Sequence, residues 1–194
     1  NNTVILTLAS AVTAGQSVSL AYTDATSSND TSGIIQNVPG NDLASFTART
    51  VTNTLGTINS DTITGTNGVD LINGSLGNDS LAGGPSGDIF RFDSTLNGST
   101  NVDRITDFSI AEGDRIQLEN TGTSLFNAIS TTGTLSPTAF RIGTSFSTTS
   151  ERIRYDSSSG NLLYDPDGPG TAPSILFATL STGLGLSSNQ FVVT

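Results

Sequence analysis

Apolar residues recur along this chain at short, regular intervals. In the first fifty residues they alternate with polar ones: Val4, Leu6 and Leu8 in TVILTLASAV, then Val18, Leu20 and Tyr22 in QSVSLAYT. Alternation sets one face of an extended strand against a core, so both segments predict strands. GIIQNV and DLASFTARTVTN add two more around a Pro-Gly-Asn-Asp turn at residues 39–42. From residue 56 the apolar positions thin to Ile63, Ile72, Leu81 and Phe90, nine apart. Val102, Ile105 and Phe108, then Ile116 and Leu118, mark further short strands. Ile153 and Tyr155 alternate with Arg and Asp before an SSSGN turn and a returning LLY, the signature of a hairpin. The last stretch, SILFATLSTGLGLSSNQFVVT, ends in an apolar strand. These patterns predict an all-β protein.

The thin middle region is a repeat. Residues 56–91 read GTINSDTIT, GTNGVDLIN, GSLGNDSLA and GGPSGDIFR, with Gly56, Gly65, Gly74 and Gly83 opening the units and Asp61, Asp70, Asp79 and Asp88 at the sixth position. Three columns keep register over four units. The unit is similar to the Gly-Gly-x-Gly-x-Asp-x-apolar-x nonapeptide of the RTX (repeats-in-toxin) family, which implies a parallel β-roll that binds Ca²⁺.

The same expectation follows from the physics of the unit. A Gly-rich turn admits positive φ and turns carbonyls inward, and the Asp that ends it adds a carboxylate. The next three residues make a minimal strand with one inward apolar side chain. Two units form one coil, so turns two units apart stack at about the 4.8 Å strand spacing. Stacked carboxylates repel, and a hard cation between them converts repulsion into coordination by oxygen. Asp61 is therefore expected to share an ion with Asp79, and Asp70 with Asp88. Turn carbonyls at Gly56, Gly65, Asn67, Gly68, Gly74, Leu76, Gly77, Gly83 and Gly84 would complete the ligand sets. Asp93, Asp103 and Asp107 are candidate donors to incomplete sites beyond the repeats. A cation-free solenoid whose Asp residues merely close turns is the competing reading. The repeat departs from the family pattern at Thr57, Thr66 and Ser75, at Asn59 and Ser86, and at Pro85. These changes predict weaker sites. One inward apolar residue per unit contributes less than ordering nine backbones costs, so ion binding is expected to be coupled to folding and the metal-free stretch to be disordered.

A solenoid needs a cap to cover its last coil. The phrase DRITDF…GDRIQL, residues 103–118, resembles the region after the repeats in serralysin-type proteases and other type I secretion substrates. Asp103, Asp107 and Asp114 either close a terminal calcium site, with Asp114 the least favoured, or pair with Arg104 and Arg115. The family's Tyr-Asp-x-Asp-Gly turn is matched by Tyr164, Asp165, Asp167 and Gly168. A plain turn is preferred there over a calcium site, since the remaining EF-hand ligands are missing. In type I substrates the export signal lies in the final several dozen residues, which implies a secretion exporter as partner. The first fifty residues resemble the second half of Ig-like repeats of very long cyanobacterial surface proteins, through GNDLASFTARTVTN. The expected organisation is residues 1–54 as the C-terminal half of an Ig-like repeat (a partial sandwich), 55–93 as a calcium β-roll, and 94–194 as a β-rich cap with a type I secretion signal.

Composition narrows the function. The 194 residues carry 7 basic and 17 acidic side chains, for a net charge of −10, which disfavours nucleic acid and anionic lipid as partners. There is no His and no Cys. The chain therefore lacks an imidazole base, a thiolate nucleophile and the usual zinc ligands. No apolar run approaches the length of a membrane span. With Asn first and no Met, the chain reads as a processed or excised piece of a longer protein. The favoured expectation is a non-enzymatic module of a large extracellular or cell-surface protein (adhesin, surface-layer or motility type) that folds on Ca²⁺ after export. The tail of a secreted hydrolase, or a filament or sheet subunit that exchanges strands with copies of itself or other surface proteins, are the alternatives.

Overall fold

The computed structural model describes residues 17–22, 46–52, 54–121 and 126–194, and its described strands make a strand-rich, all-β protein with only two single-turn 3₁₀ segments among them. The chain divides into two compact units, one ending at Asn53 and the other running on from Thr54. In the first, β1 (Ser17–Tyr22) and β2 (Phe46–Thr52) pair antiparallel, with Ser17 opposite Thr52 and a register shift between Leu20 and Tyr22. They coincide with two of the four expected strands. TVILTLASAV, GIIQNV and the turn at 39–42 lie outside the described residues.

The second unit begins as a coil. β3 (Thr62–Thr64), β5 (Ser80–Ala82) and β7 (Asp103–Ile105) lie parallel in one sheet, while β4 (Leu71–Ile72), β6 (Ile89–Phe92) and β8 (Arg115–Leu118) lie parallel in the other. Successive strands thus alternate between sheets, and residues 18 apart stack, Thr62 on Ser80 and Leu71 on Ile89. The inward apolar residues are Ile63, Ile72, Leu81 and Ile105 in four of the strands, and Phe90 with Phe92 and Ile116 with Leu118 in the four-residue β6 and β8, all buried. The pleat permits one such residue in a three-residue strand, because its neighbours point the other way.

The C-terminal strands extend both sheets across residue 93 without interruption. β11 (Ile153–Asp156) and β12 (Asn161–Tyr164) form the hairpin, with Asp156 opposite Asn161 and Gly160 at φ 81 in the turn. A side chain at Gly160 would strike the Leu180 carbonyl, so the turn needs glycine for space as well as for its dihedral. β13 (Ile175–Thr179) returns antiparallel to β12 and then pairs in parallel with β7. β10 (Phe140–Ile142) joins the far side of β11. In the other sheet β14 (Phe191–Val193) lies between β8, parallel, and β9 (Gly133–Thr134), antiparallel. The sheets read β10-β11-β12-β13-β7-β5-β3 and β4-β6-β8-β14-β9.

Between them the core widens where the coil ends. Phe177 stands edge-on to Phe92 at 5.1 Å and to Phe126 at 5.2 Å, and Phe126 to Tyr164 at 5.1 Å. Such edge-to-face contacts add to the area these rings bury. The aromatic cluster supplies the apolar mass that the coil lacks. Replacing Phe177 by Ala is expected to lower stability by about 3 to 5 kcal/mol, read as a shift of the denaturation midpoint in calcium.

Candidate metal centre

The sixth-position aspartates form two columns, one on each edge of the coil. On the first, Asp79 Oδ1 accepts the Asp61 amide at 2.8 Å and Asp103 Oδ1 accepts the Asp79 amide at 3.1 Å. On the second, Asp88 Oδ1 accepts the Asp70 amide and Asp114 Oδ1 the Asp88 amide, both at 2.8 Å. Asp79, Asp88, Asp103 and Asp114 thus each bind the backbone of the rung before with one carboxylate oxygen. The link between Asp61 and Asp79, and between Asp70 and Asp88, is carboxylate to amide. Burial is severe: Asp79 is 2 % exposed, Asp88 0 %, Asp103 4 % and Asp114 1 %.

The second oxygens divide into two kinds. Asp61 Oδ2 takes the Thr57 amide at 2.7 Å and hydroxyl at 2.8 Å; Asp70 Oδ2 takes those of Thr66 at 2.6 and 2.9 Å; Asp114 Oδ2 takes the Ser109 amide at 2.8 Å. Asp79 Oδ2 and Asp88 Oδ2 are buried with no partner. A methyl placed on Gly74 would collide with Asp79 Oδ2 and stand 2.9 Å from Asp103 Oδ2, and one on Gly83 would collide with Asp88 Oδ2. Each unpartnered oxygen therefore lies against the first residue of its own turn. Beside the first column, Asn101 Oδ1 is also buried without a partner, and Asn101, Asp103, Asn73 and Ser75, with Arg91 that is paired to Asp93 and Glu119, line a cavity of about 10 Å³, room for one water-sized particle.

Among the described residues no basic side chain forms an ion pair with these columns. The ion pairs among the described residues are Arg91 with Asp93 at 3.1 Å and with Glu119 at 3.3 Å, and Arg141 with Glu151 at 3.4 Å. Arg115 donates to the Asp114 backbone carbonyl, not to its carboxylate. Burial raises the pKa of Asp79, Asp88 and Asp114 above the ordinary carboxylate value. Burial, with the charge of Asp79 beside it, pushes Asp103 up to about 8. For Asp88 the charges of Asp114, Asp70 and Asp107 add to its burial.

The remaining expected ligands fall in different places. Asp107 accepts the Gly83 and Gly84 amides at 3.0 and 2.9 Å, so it closes the fourth turn without pairing to an arginine. Asp93 stands outside both columns, held by Arg91 and by the Asn73 side-chain amide at 2.9 Å. Asp165 and Asp167 sit in the turn after β12, where the Asp167 amide donates to Asp165 and Asp167 Oδ2 takes the amides of Thr171 and Ala172. The Gly56 and Gly65 amides bind the Asn73 and Ala82 carbonyls, and the Asn67 carbonyl accepts from Ser86 Oγ. The Gly68 amide binds Thr66 Oγ1, and the Leu76 amide binds the Thr57 carbonyl. Gly77 and Gly84 have left-handed φ of 121 and 89. Asp114 continues the second column although it stands outside the repeat, and Asn101 lies beside the first. The signal for Asp114 was the return of an Asp after a longer loop, 26 residues beyond Asp88, as Asp103 returns 24 beyond Asp79; Asn101 had no such signal.

The fit to a hard cation rests on these atoms. Buried, unpartnered carboxylate oxygens with an amide oxygen nearby are an oxygen donor set of the kind Ca²⁺ takes. Among the described residues no three acidic groups converge on one point. A ladder spreads its carboxylates one to a rung, and main-chain carbonyls would have to supply the rest. Comparison with protein-family models and with curated proteins finds no match for this chain.

The raised Asp103 fixes the sign of a pH effect. Its proton is held more tightly in the folded than in the unfolded chain, so folding stability contributed by the protonated form is present below the ordinary carboxylate value of 3.8 and is lost as pH climbs toward about 8. In a chelator, the far-ultraviolet β signal is expected to fall as pH rises from 5 to 8. Asp103→Asn should flatten that slope and raise the signal at pH 8.

Proposed function

We propose that this chain is a non-enzymatic calcium-binding module, the C-terminal part of a large type I secreted protein of the cell surface or extracellular space. The observation that carries the proposal is the pair of buried, unpartnered oxygens, Asp79 Oδ2 and Asp88 Oδ2, in columns of carboxylates to which no arginine among the described residues is ion-paired. Isolated buried charge costs several kcal/mol, and proteins neutralise it, pair it or give it to a metal. Asp79, Asp103 and the Asn101 amide oxygen would hold one cation. Asp88 and the carbonyls of its turn would hold the other. Bound calcium supplies positive charge to two rows of like-charged groups and a shared centre between successive turns.

The 18-residue parallel stacking, with an aspartate ending each turn, supports the RTX β-roll reading. The antiparallel β1–β2 pair agrees with the Ig-like reading of the first segment. Together they favour a surface or secreted parent protein, and with it passage through an exporter. In cytosol, where calcium is scarce, the stacked aspartates oppose compaction and leave the chain threadable. Outside, ligand in excess favours the folded state by mass action, with half-saturation expected at about 10⁻⁴ to 10⁻³ M as in other extracellular calcium modules.

Circular dichroism of the full chain at pH 7.5 tests this. Calcium should produce a large gain in β signal over the chelated sample, and the Asp79→Asn/Asp88→Asn double variant should lose most of that response. An identical spectrum with and without calcium would reject the proposal.

A further inference from the structure

The four repeat turns carry the same aspartate, yet only two leave its second oxygen unpartnered. In the first and second turns the bonding is identical. The residue after the opening glycine, Thr57 or Thr66, gives both its amide and its hydroxyl to the aspartate that ends the turn. The hydroxyl oxygen then accepts the amide two residues on, that of Asn59 or Gly68, at 3.1 Å. In the third and fourth turns the equivalent positions are Ser75 and Gly84, both in the left-handed region at φ 70 and 89. There the Ser75 amide turns to Asn73 Oδ1 and the Gly84 amide to Asp107, and neither reaches its own aspartate.

Glycine at the fourth position does not explain the division. The second turn has Gly68 there and lacks a left-handed residue, while the fourth turn has Ser86 there at φ 91. The second position does explain it. A β-branched residue is strongly disfavoured at positive φ, whereas glycine adopts it freely and serine at a moderate cost. Held at negative φ, Thr57 and Thr66 face their own aspartate and fill the place that the other two turns leave open.

We infer that Thr57 and Thr66 are specificity-determining residues that close the first two turns against a cation, so that only the turns of Asp79 and Asp88 take one up. The inference rests on the calcium reading of those later turns. The latched turns give the ladder a polarity: its N-terminal rungs satisfy their carboxylates with protein donors, and its later rungs require an ion. Strands β3 and β4, at the edge of each sheet, are thereby finished without metal.

Calorimetric titration of the full chain with CaCl₂ tests the latch in both directions. Thr66→Gly should bind one more ion per chain than the parent, and Thr57→Gly/Thr66→Gly two more. Thr66→Val, which keeps the branch and loses the hydroxyl, should gain none. Ser75→Thr should lose one, and decides the matter if the glycine variants do not fold. Parent uptake with no change of stoichiometry in Thr66→Gly or Ser75→Thr would overturn the latch alone. A parent that takes up no calcium would overturn the functional reading and the latch with it.

Discussion

The structure turns on like charges stacked at strand spacing. Parallel coils place residues of equivalent position directly over one another, and here that position is an aspartate at the end of every turn. Backbone amides take one oxygen of each carboxylate, which holds the columns in register while leaving their charge in place. Among the described residues no arginine is ion-paired to a column, Arg91 and Arg141 being committed to Asp93, Glu119 and Glu151 and Arg115 to the Asp114 carbonyl, so a proton or a cation is left to remove that charge. Both would stabilise the same arrangement. Burial raises the affinity for protons, and the unpartnered oxygens of Asp79 and Asp88 offer a place for metal.

The rest of the second unit is arranged around this weakness. The coil contributes one or two buried aliphatic or aromatic side chains per short strand, while the aromatic cluster of Phe92, Phe126, Tyr164 and Phe177 sits where the C-terminal strands join. Because β13 pairs with β7 and β14 with β8, the cap shares its sheets with the coil. Charge in the columns therefore acts on elements that also hold the aromatic core. Tyr155 and Tyr164 reinforce that join, since their hydroxyls bind the Ser181 carbonyl and the Ala128 amide.

Much of this was legible in the residues. The nine-residue period located the inward positions Ile63, Ile72, Leu81 and Phe90, and the two-unit coil located the stacking of Asp61 with Asp79 and Asp70 with Asp88, since both depend only on local geometry. The SSSGN hairpin was equally local. Asp114 was the least favoured of the expected ligands, because the loop before β8 lengthens the coil and breaks the period that would have pointed to it, and Asn101 stands at no periodic position. Asp93 follows the last repeat closely, yet the adjacent Arg91 holds it at the surface. The parallel joins of β13 to β7 and β14 to β8 connect segments far apart in the chain, and no turn residue or alternation specifies such a pairing. The different fates of the four turns hung on a single methyl-bearing carbon at the second position, a difference that looks conservative in a list of small polar residues.

A crystal structure of the full chain grown in calcium chloride, with anomalous data, tests the central claim most directly. Calcium density is expected within about 2.3 to 2.6 Å of Asp79 Oδ2 and of Asp88 Oδ2, the range of calcium–oxygen bonds. The same fold with no ion at either oxygen, at millimolar calcium and neutral pH, would contradict it.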